Sequence, residues 1–127
     1  QIDCITDSSC LAVGEGSSST YILMTKDSGN TWDIALRLDG KYSLHSSKMI
    51  TENEMWVAGG MLVEDASSNE ENNMKLVGIY YYSDDGGETW AMTTSDGYAY
   101  DISFVNKEIG YAATIHDDHC SITKLHK

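Results

Sequence analysis

Apolar and polar residues alternate along most of this chain, and a period of two predicts β-strands. The clearest runs span residues 21–24, 55–58, 76–82 and 102–105, where aliphatic and aromatic residues are bounded by Gly, Asn, Asp and Ser. Almost no segment has the 3.6-residue period of an amphipathic helix. The pattern therefore predicts an all-β protein.

Three segments of the same build, CLAVGEG, MWVAGGM and IGYAATI, divide the chain into repeats. Each follows an apolar strand and a polar turn. Gly14 and Gly59 lie forty-five positions apart, and Gly59 and Thr114 lie fifty-five apart. This spacing indicates three repeats of one structural unit, the third without its fourth strand.

Each complete repeat predicts four strands, and the whole chain predicts a single domain over residues 1–127 with units at about 1–40, 41–97 and 98–127. The predicted strands cover about residues 1–5, 10–15, 20–25 and 31–37, then 45–51, 54–62, 75–83 and 89–94, then 98–105, 109–115 and 120–125.

A turn motif, Ser/Thr-x-Asp-x-Gly-x-Thr-Trp, occurs as TKDSGNTW at residues 25–32 and as SDDGGETW at residues 83–90. Both copies fall between the third and fourth predicted strands of a repeat. We expect the aspartates to accept hydrogen bonds from turn amides, the glycines to adopt positive φ and the tryptophans to bury their rings. The predicted structural residues are Thr25, Asp27, Gly29, Thr31, Trp32, Ser83, Asp85, Gly87, Thr89 and Trp90.

These two turns resemble Asp boxes, also called bacterial neuraminidase repeats, which lie between the third and fourth strands of β-propeller blades. The full repeats most closely resemble propellers of the photosystem II stability and assembly factor family. They are more distantly similar to sialidases, xyloglucan-cleaving glycosidases and sortilin-type receptors. The resemblance implies β-propeller blades of four antiparallel strands, about two and three-quarter blades in all.

A closed propeller has ~4–8 blades, so this number leaves an open blade edge. Unpaired backbone groups on such an edge invite pairing with another strand. We therefore expect either further blades in a longer protein or protein subunits of a larger complex that cover the edge.

The charge of the chain excludes several classes of partner and activity. Lys and Arg number 8 against 20 Asp and Glu, for a formal net charge of −12, and Arg37 is the only arginine. An acidic surface disfavours nucleic acid and anionic membranes, and no run approaches the ~18 apolar residues of a transmembrane helix. One arginine cannot build the clustered clamp that a sialidase needs for a substrate carboxylate.

Cys4 and Cys10 flank a polar turn, ITDSS, which makes them a candidate disulfide between two strands. Such a bridge would indicate an oxidising compartment. Cys120 is then left over and is predicted to be a small buried apolar residue. His116 and His119 are weak candidates for a zinc site, with a polar hairpin tip as the favoured interpretation. No cofactor is predicted.

Five tyrosines could form a platform on which a carbohydrate stacks: Tyr80, Tyr81, Tyr82, Tyr98 and Tyr100. Because half of the residues in alternating strands should face a neighbouring sheet, these rings are predicted to be packing residues instead. The predicted core comprises Ile2, Leu11, Val13, Ile22, Met24, Trp32, Ile50, Trp56, Val57, Ile79, Tyr81, Trp90, Ile102, Phe104, Tyr111 and Ile115.

The sequence therefore predicts a non-catalytic binding or scaffold module, and a small-molecule ligand is not expected. The resemblance implies an accessory or assembly-type subunit of a photosynthetic membrane complex in the thylakoid lumen. Two alternatives stay open. One is a fragment of an Asp-box carbohydrate-active enzyme, a glycosidase, and the other is a piece of an extracellular sortilin-like receptor propeller.

Overall fold

The computed structural model describes residues 1–40, 42–64, 74–115 and 119–126. Its strands are β1 (Ile2–Cys4), β2 (Cys10–Glu15), β3 (Ser19–Thr25), β4 (Asp33–Asp39), β5 (Tyr42–Met49), β6 (Met55–Glu64), β7 (Met74–Ser83), β8 (Ala91–Asp96), β9 (Tyr98–Phe104), β10 (Ile109–Ile115) and β11 (Cys120–His126). No membrane-spanning helix is found in these ranges.

The strands form three antiparallel sheets in chain order. The first sheet has the order β1-β2-β3-β4, the second β5-β6-β7-β8 and the third β11-β10-β9, and none of them closes on itself. The prediction of an all-β protein is confirmed. Strand limits differ from the predicted ones by a few residues, most clearly at β5, which begins at Tyr42 and not at about 45.

The second sheet lies between the other two, because each of its faces packs against a different neighbour. The first core fills the space between the first and second sheets and contains Leu11, Val13, Ile22, Met24, Leu44, Met49, Met55, Val57, Ile79 and Tyr81. The second core fills the space between the second and third sheets and contains Trp56, Ala58, Tyr80, Ala99, Ile102, Ala112 and Leu125.

Some residues of the predicted core are exposed, and for these the prediction was wrong. Ile2, Tyr111 and Ile115 are exposed on strands of the first and third sheets, each of which packs one face against the second sheet. Trp32 is 39% exposed in its turn. Cys120, predicted to be buried, is exposed as well. Alternation places apolar residues on both faces of a strand, and only the packing decides which face is covered.

The same hydrogen bond joins successive sheets twice. The Gln1 side-chain carbonyl accepts the amide of Ser47 at 3.0 Å, and the Ser46 hydroxyl accepts the amide of Ile102 at 3.2 Å. Gln1, Ser46 and Asp101 occupy equivalent repeat positions, forty-five and fifty-five apart. Gln1 thus bonds the residue after Ser46, and Ser46 bonds the residue after Asp101, so the same contact links each sheet to the next.

Cys4 and Cys10 form a disulfide, which confirms the predicted bridge. They are direct cross-strand partners on β1 and β2. The turn between them is capped by Thr6, whose hydroxyl accepts the amides of Ser8 and Ser9 at 3.3 and 3.0 Å. The covalent bond and the cap thus close the same short hairpin.

Candidate functional site

The first turn motif is organised around the carboxylate of Asp27. The Thr31 amide and hydroxyl donate to its two oxygens at 2.9 and 2.5 Å, and the Thr25 hydroxyl donates at 2.8 Å. The amide of Gly29 in turn donates to the Thr25 hydroxyl at 2.9 Å. Gly29 has φ of 85°, the left-handed conformation that favours glycine.

The second turn repeats this network around Asp85. The Ser83 hydroxyl donates to the carboxylate at 2.8 Å, and the Thr89 amide donates at 2.9 Å alongside the Thr89 hydroxyl. The Gly87 amide donates to the Ser83 hydroxyl at 2.9 Å, and Gly87 has φ of 89°. Two stretches fifty-eight positions apart thus form the same turn.

These hydrogen bonds favour the ionised form of both aspartates. Bonds from the Thr89 side chain and backbone, and then from Ser83, lower the pKa of Asp85 to about 2. The corresponding bonds from Thr31 and Thr25 lower the pKa of Asp27. Because the carboxylates are engaged with their own turns, their chemistry here is structural.

The two tryptophans of the motif differ in their surroundings. The indole N–H of Trp90 donates to the carbonyl of Gly87 at 3.0 Å, and its ring packs against the first core. Trp90 therefore joins its turn to the space between the first and second sheets, while the more exposed Trp32 contributes less burial.

A second constellation arises from β-bulges at equivalent positions of β5 and β9. The pairing of β5 with β6 skips His45, and the pairing of β9 with β10 skips Tyr100. These two residues lie fifty-five positions apart, the same spacing as the repeat. Bulges of this kind re-aim a side chain out of the regular ladder.

We call Glu15, Ser43, His45, Tyr98 and Tyr100 the bulge cluster. The rings of His45 and Tyr100 stack with centroids 6.3 Å apart and planes 21° apart. The ring of Tyr98 meets His45 edge-on, with centroids 5.1 Å apart and planes 65° apart. Since Glu15 lies on β2, all three sheets contribute to the cluster.

The hydroxyl of Ser43 joins the polar groups of the bulge cluster. It donates to Glu15 at 2.8 Å, accepts the Tyr98 hydroxyl at 3.3 Å and lies 3.1 Å from Nε2 of His45. A serine hydroxyl has one proton and two acceptor lone pairs. Because its proton points to Glu15, we assign the proton of the His45 contact to Nε2, and Ser43 is fully bonded.

Two adjacent glycines make room for the bulge cluster. A Cβ on Gly59 would overlap the backbone carbonyl of Ser43, and a Cβ on Gly60 would overlap the ring of Tyr98. The glycine pair in MWVAGGM is therefore required by close approach of the bulged strand and of an aromatic ring.

The polar groups of the bulge cluster bond mainly to one another. The Ser43 hydroxyl donates to the Glu15 carboxylate and accepts from the Tyr98 hydroxyl and from Nε2 of His45, so its one proton and two lone pairs are all engaged within the cluster. What the bulge cluster presents to solvent is the exposed ring of Tyr100, the exposed imidazole of His45 and the carboxylate of Glu15.

The structure describes only one of the two weak candidates for a zinc site. His116 lies outside the described residues, and His119 is exposed just before β11. Among the residues that the structure describes, no group of three or more His, Cys, Asp or Glu is arranged to hold a metal ion.

Sequence reasoning did not identify the bulge cluster, although one signal was available. His45 and Tyr100 occupy the same repeat position, and so do the turn-capping residues Thr6, Thr51 and Asn106. Thr51 accepts the amides of the two residues before β6, and Asn106 accepts those of Glu108 and Ile109. Aligning the repeats at every position, and not at the glycines alone, would have shown these equivalences.

Comparison with known proteins does not place the chain in a family. No family model, curated protein or solved structure matches it.

Proposed function

We propose that residues 1–127 form a non-catalytic binding module built of propeller-type blades, and that another protein surface covers its outer face. The observation that carries the proposal is the face of the third sheet that points away from the second. Tyr111 and Ile115 on β10 and Ile122 on β11 are all exposed there, with Ile122 at 70%. Such exposed apolar rows are typical of interaction surfaces.

The repeat supports this interpretation of the outer face. Leu11, Trp56 and Tyr111 occupy one repeat position. Leu11 packs toward the second sheet, and Trp56 packs toward the third. At this repeat position the side chain packs against the next sheet, and for Tyr111 the structure describes no next sheet. An apolar protein surface is therefore suited to cover the face on which Tyr111 lies.

The free edge of β11 offers the same partner a second mode of contact. In the first and second sheets the third strand pairs with a fourth, whereas in the third sheet β11 is the outer strand of the described residues. This edge can pair either with a further strand of a longer chain or with a strand of the partner, as in β-augmentation.

The resemblance of the two turns to Asp boxes supports a more specific version, in which the module is an accessory or assembly-type subunit of a photosynthetic membrane complex. The Cys4–Cys10 disulfide is consistent with an oxidising compartment such as the thylakoid lumen. An acidic chain with one arginine would contact such a complex by its apolar face, not through basic residues.

Cys120 provides a direct test of this proposal. It is exposed, carries a free thiol and is the cross-strand partner of Ile115 on the outer face. A maleimide photo-cross-linker attached to Cys120 should trap one protein at fixed stoichiometry in an extract of the source. The Ile122→Asp variant should trap much less of it.

The matched control moves the thiol to the exposed turn before β10, with Cys120→Ser and Lys107→Cys combined. This variant should trap the partner poorly, because Lys107 lies in the β9–β10 turn and is not a cross-strand partner of an outer-face residue. Equal trapping by both thiols, insensitivity to Ile122→Asp, or turnover of glycoside substrates by the purified chain would contradict the proposal.

A further inference from the structure

We infer that the bulge cluster binds an organic cation, namely a quaternary or methylated ammonium group. This inference is independent of the outer face and of its partner. It rests on the ring geometry, on the charge around the rings and on which polar groups are already bonded.

The rings of the bulge cluster pack against one another and leave Tyr100 exposed. His45 and Tyr100 are close to parallel, while Tyr98 stands at 65° to His45. Aromatic faces carry negative partial charge. Because the three rings contact one another, a cation would lie on the exposed face of Tyr100, which is 61% exposed. Recognition of methylated ammonium groups by aromatic rings depends on the attraction of the cation to such a face.

The charge of the surroundings favours a cation. Glu15 contributes a carboxylate to the bulge cluster. The chain as a whole carries a formal charge of −12. A field of this sign raises the local concentration of cations and repels anionic ligands.

The polar groups available for a ligand argue against a sugar. The hydroxyls of Ser43 and Tyr98 and the Nε2 atom of His45 are bonded to one another or to Glu15. A sugar needs donors and acceptors directed at its hydroxyls. The bulge cluster offers mainly ring faces and one carboxylate, which is the combination that a methylated ammonium group requires.

The bulge cluster is also held in place before any ligand binds. Tyr98 lies against Gly60, where a Cβ would overlap its ring, and its hydroxyl is fixed by Ser43. A site with ordered side chains loses less conformational entropy on binding. A small cation can therefore bind with few contacts.

The test uses choline chloride as the probe and 3,3-dimethyl-1-butanol as its uncharged analogue of the same shape. Proton NMR follows the choline methyl resonance, which should move upfield in the ring current and saturate with protein concentration. The neutral analogue should show no saturable shift. Added salt should weaken choline binding, because it screens the Glu15 charge.

Two pairs of variants locate the site. Tyr100→Leu and Glu15→Gln should each weaken choline binding about two- to five-fold. The matched controls are Tyr111→Leu on the outer face and Glu108→Gln in the turn before β10. Each changes an exposed tyrosine or glutamate outside the bulge cluster, so choline binding should stay unchanged. Circular dichroism checks that all four variants keep their strands.

Three results would overturn the inference. The first is binding of the neutral analogue as tight as that of choline. The second is equal weakening by Tyr111→Leu and Tyr100→Leu, which would place the probe elsewhere. The third is saturable binding of glucose at the Tyr100 ring in the absence of choline binding, which would make the bulge cluster a sugar site.

Discussion

Asp27 and Asp85 are exposed, yet each carboxylate accepts three hydrogen bonds from its own turn. Protonation would place a proton on one of the acceptor oxygens and weaken the bonds that it accepts, so these bonds link the shape of the turn to pH. A residue of this kind stabilises the fold without being buried.

We predict that this linkage contributes to acid unfolding. The folded-state pKa of Asp85 is about 2, below the usual value near ~3.9 for an unfolded chain. A lowered pKa gives stability that is present above the unfolded pKa and lost as pH falls toward the folded one. The free energy of unfolding of the wild type should therefore fall between about pH 4 and pH 2.

The Asp85→Asn variant should be less stable than the wild type at pH 7 and should lose less stability over that acid interval. Urea denaturation at a series of pH values measures both effects. Asp84→Asn, which alters the neighbouring exposed carboxylate, serves as the control. Parallel curves for wild type and Asp85→Asn would show that the turn network contributes nothing to the pH dependence.

The two tryptophans allow a comparison within one motif. Trp90→Phe removes the bond to Gly87 and part of the contact with the first core, so it should lower the free energy of unfolding by about 1–2 kcal/mol. Trp32→Phe changes a more exposed ring and should stay within about 0.5 kcal/mol of the wild type. Chemical denaturation of both variants checks the order, and a larger loss for Trp32→Phe would contradict it.

At the scale of elements, the bulges in β5 and β9 interrupt the regular pairing of their sheets. Next to the bulge at His45, the backbone of β5 lies against Gly59. Two residues before the bulge at Tyr100, the ring of Tyr98 lies against Gly60. Strand shape and glycine placement therefore depend on each other.

Gly59→Ala should lower the free energy of unfolding by about 1–3 kcal/mol, because the added methyl group overlaps the backbone of β5. Gly14 is the matched control, since it occupies the same repeat position and a Cβ there meets nothing within 4 Å. Gly14→Ala should change stability by no more than about 0.5 kcal/mol. Thermal denaturation of the two variants compares them, and equal effects would show that close approach is not the cause.

At the scale of the whole molecule, the second sheet couples the other two. It supplies Val57 and Ile79 to the first core, and Trp56 and Tyr80 to the second. The same strands thus support both cores from opposite faces. We expect the three sheets to unfold together, because loss of either core exposes one face of the middle sheet.

Ile79→Ala and Ile102→Ala test this coupling from the two cores. Both side chains are fully buried, so each variant should lose about 2–5 kcal/mol. Hydrogen exchange measured by mass spectrometry should show faster exchange in all three sheets for either variant. Faster exchange confined to the third sheet in Ile102→Ala would show instead that this sheet unfolds on its own.

The sequence alone determined the strands, their grouping and the two repeated turns. These features are local, since alternation, turn residues and the Asp–Thr network each act within about ten positions. The Cys4–Cys10 bridge was open to prediction for the same reason, because its residues flank one short turn.

Only the tertiary structure decided which faces are covered. An alternating strand such as β10 offers Tyr111 and Ala112 to opposite sides, and stacking on the second sheet buries Ala112 while Tyr111 stays exposed. The bulge cluster depends on tertiary structure in the same way. Glu15, Ser43 and Tyr98 come from three different sheets, and their distances follow from packing between sheets, which no local pattern encodes.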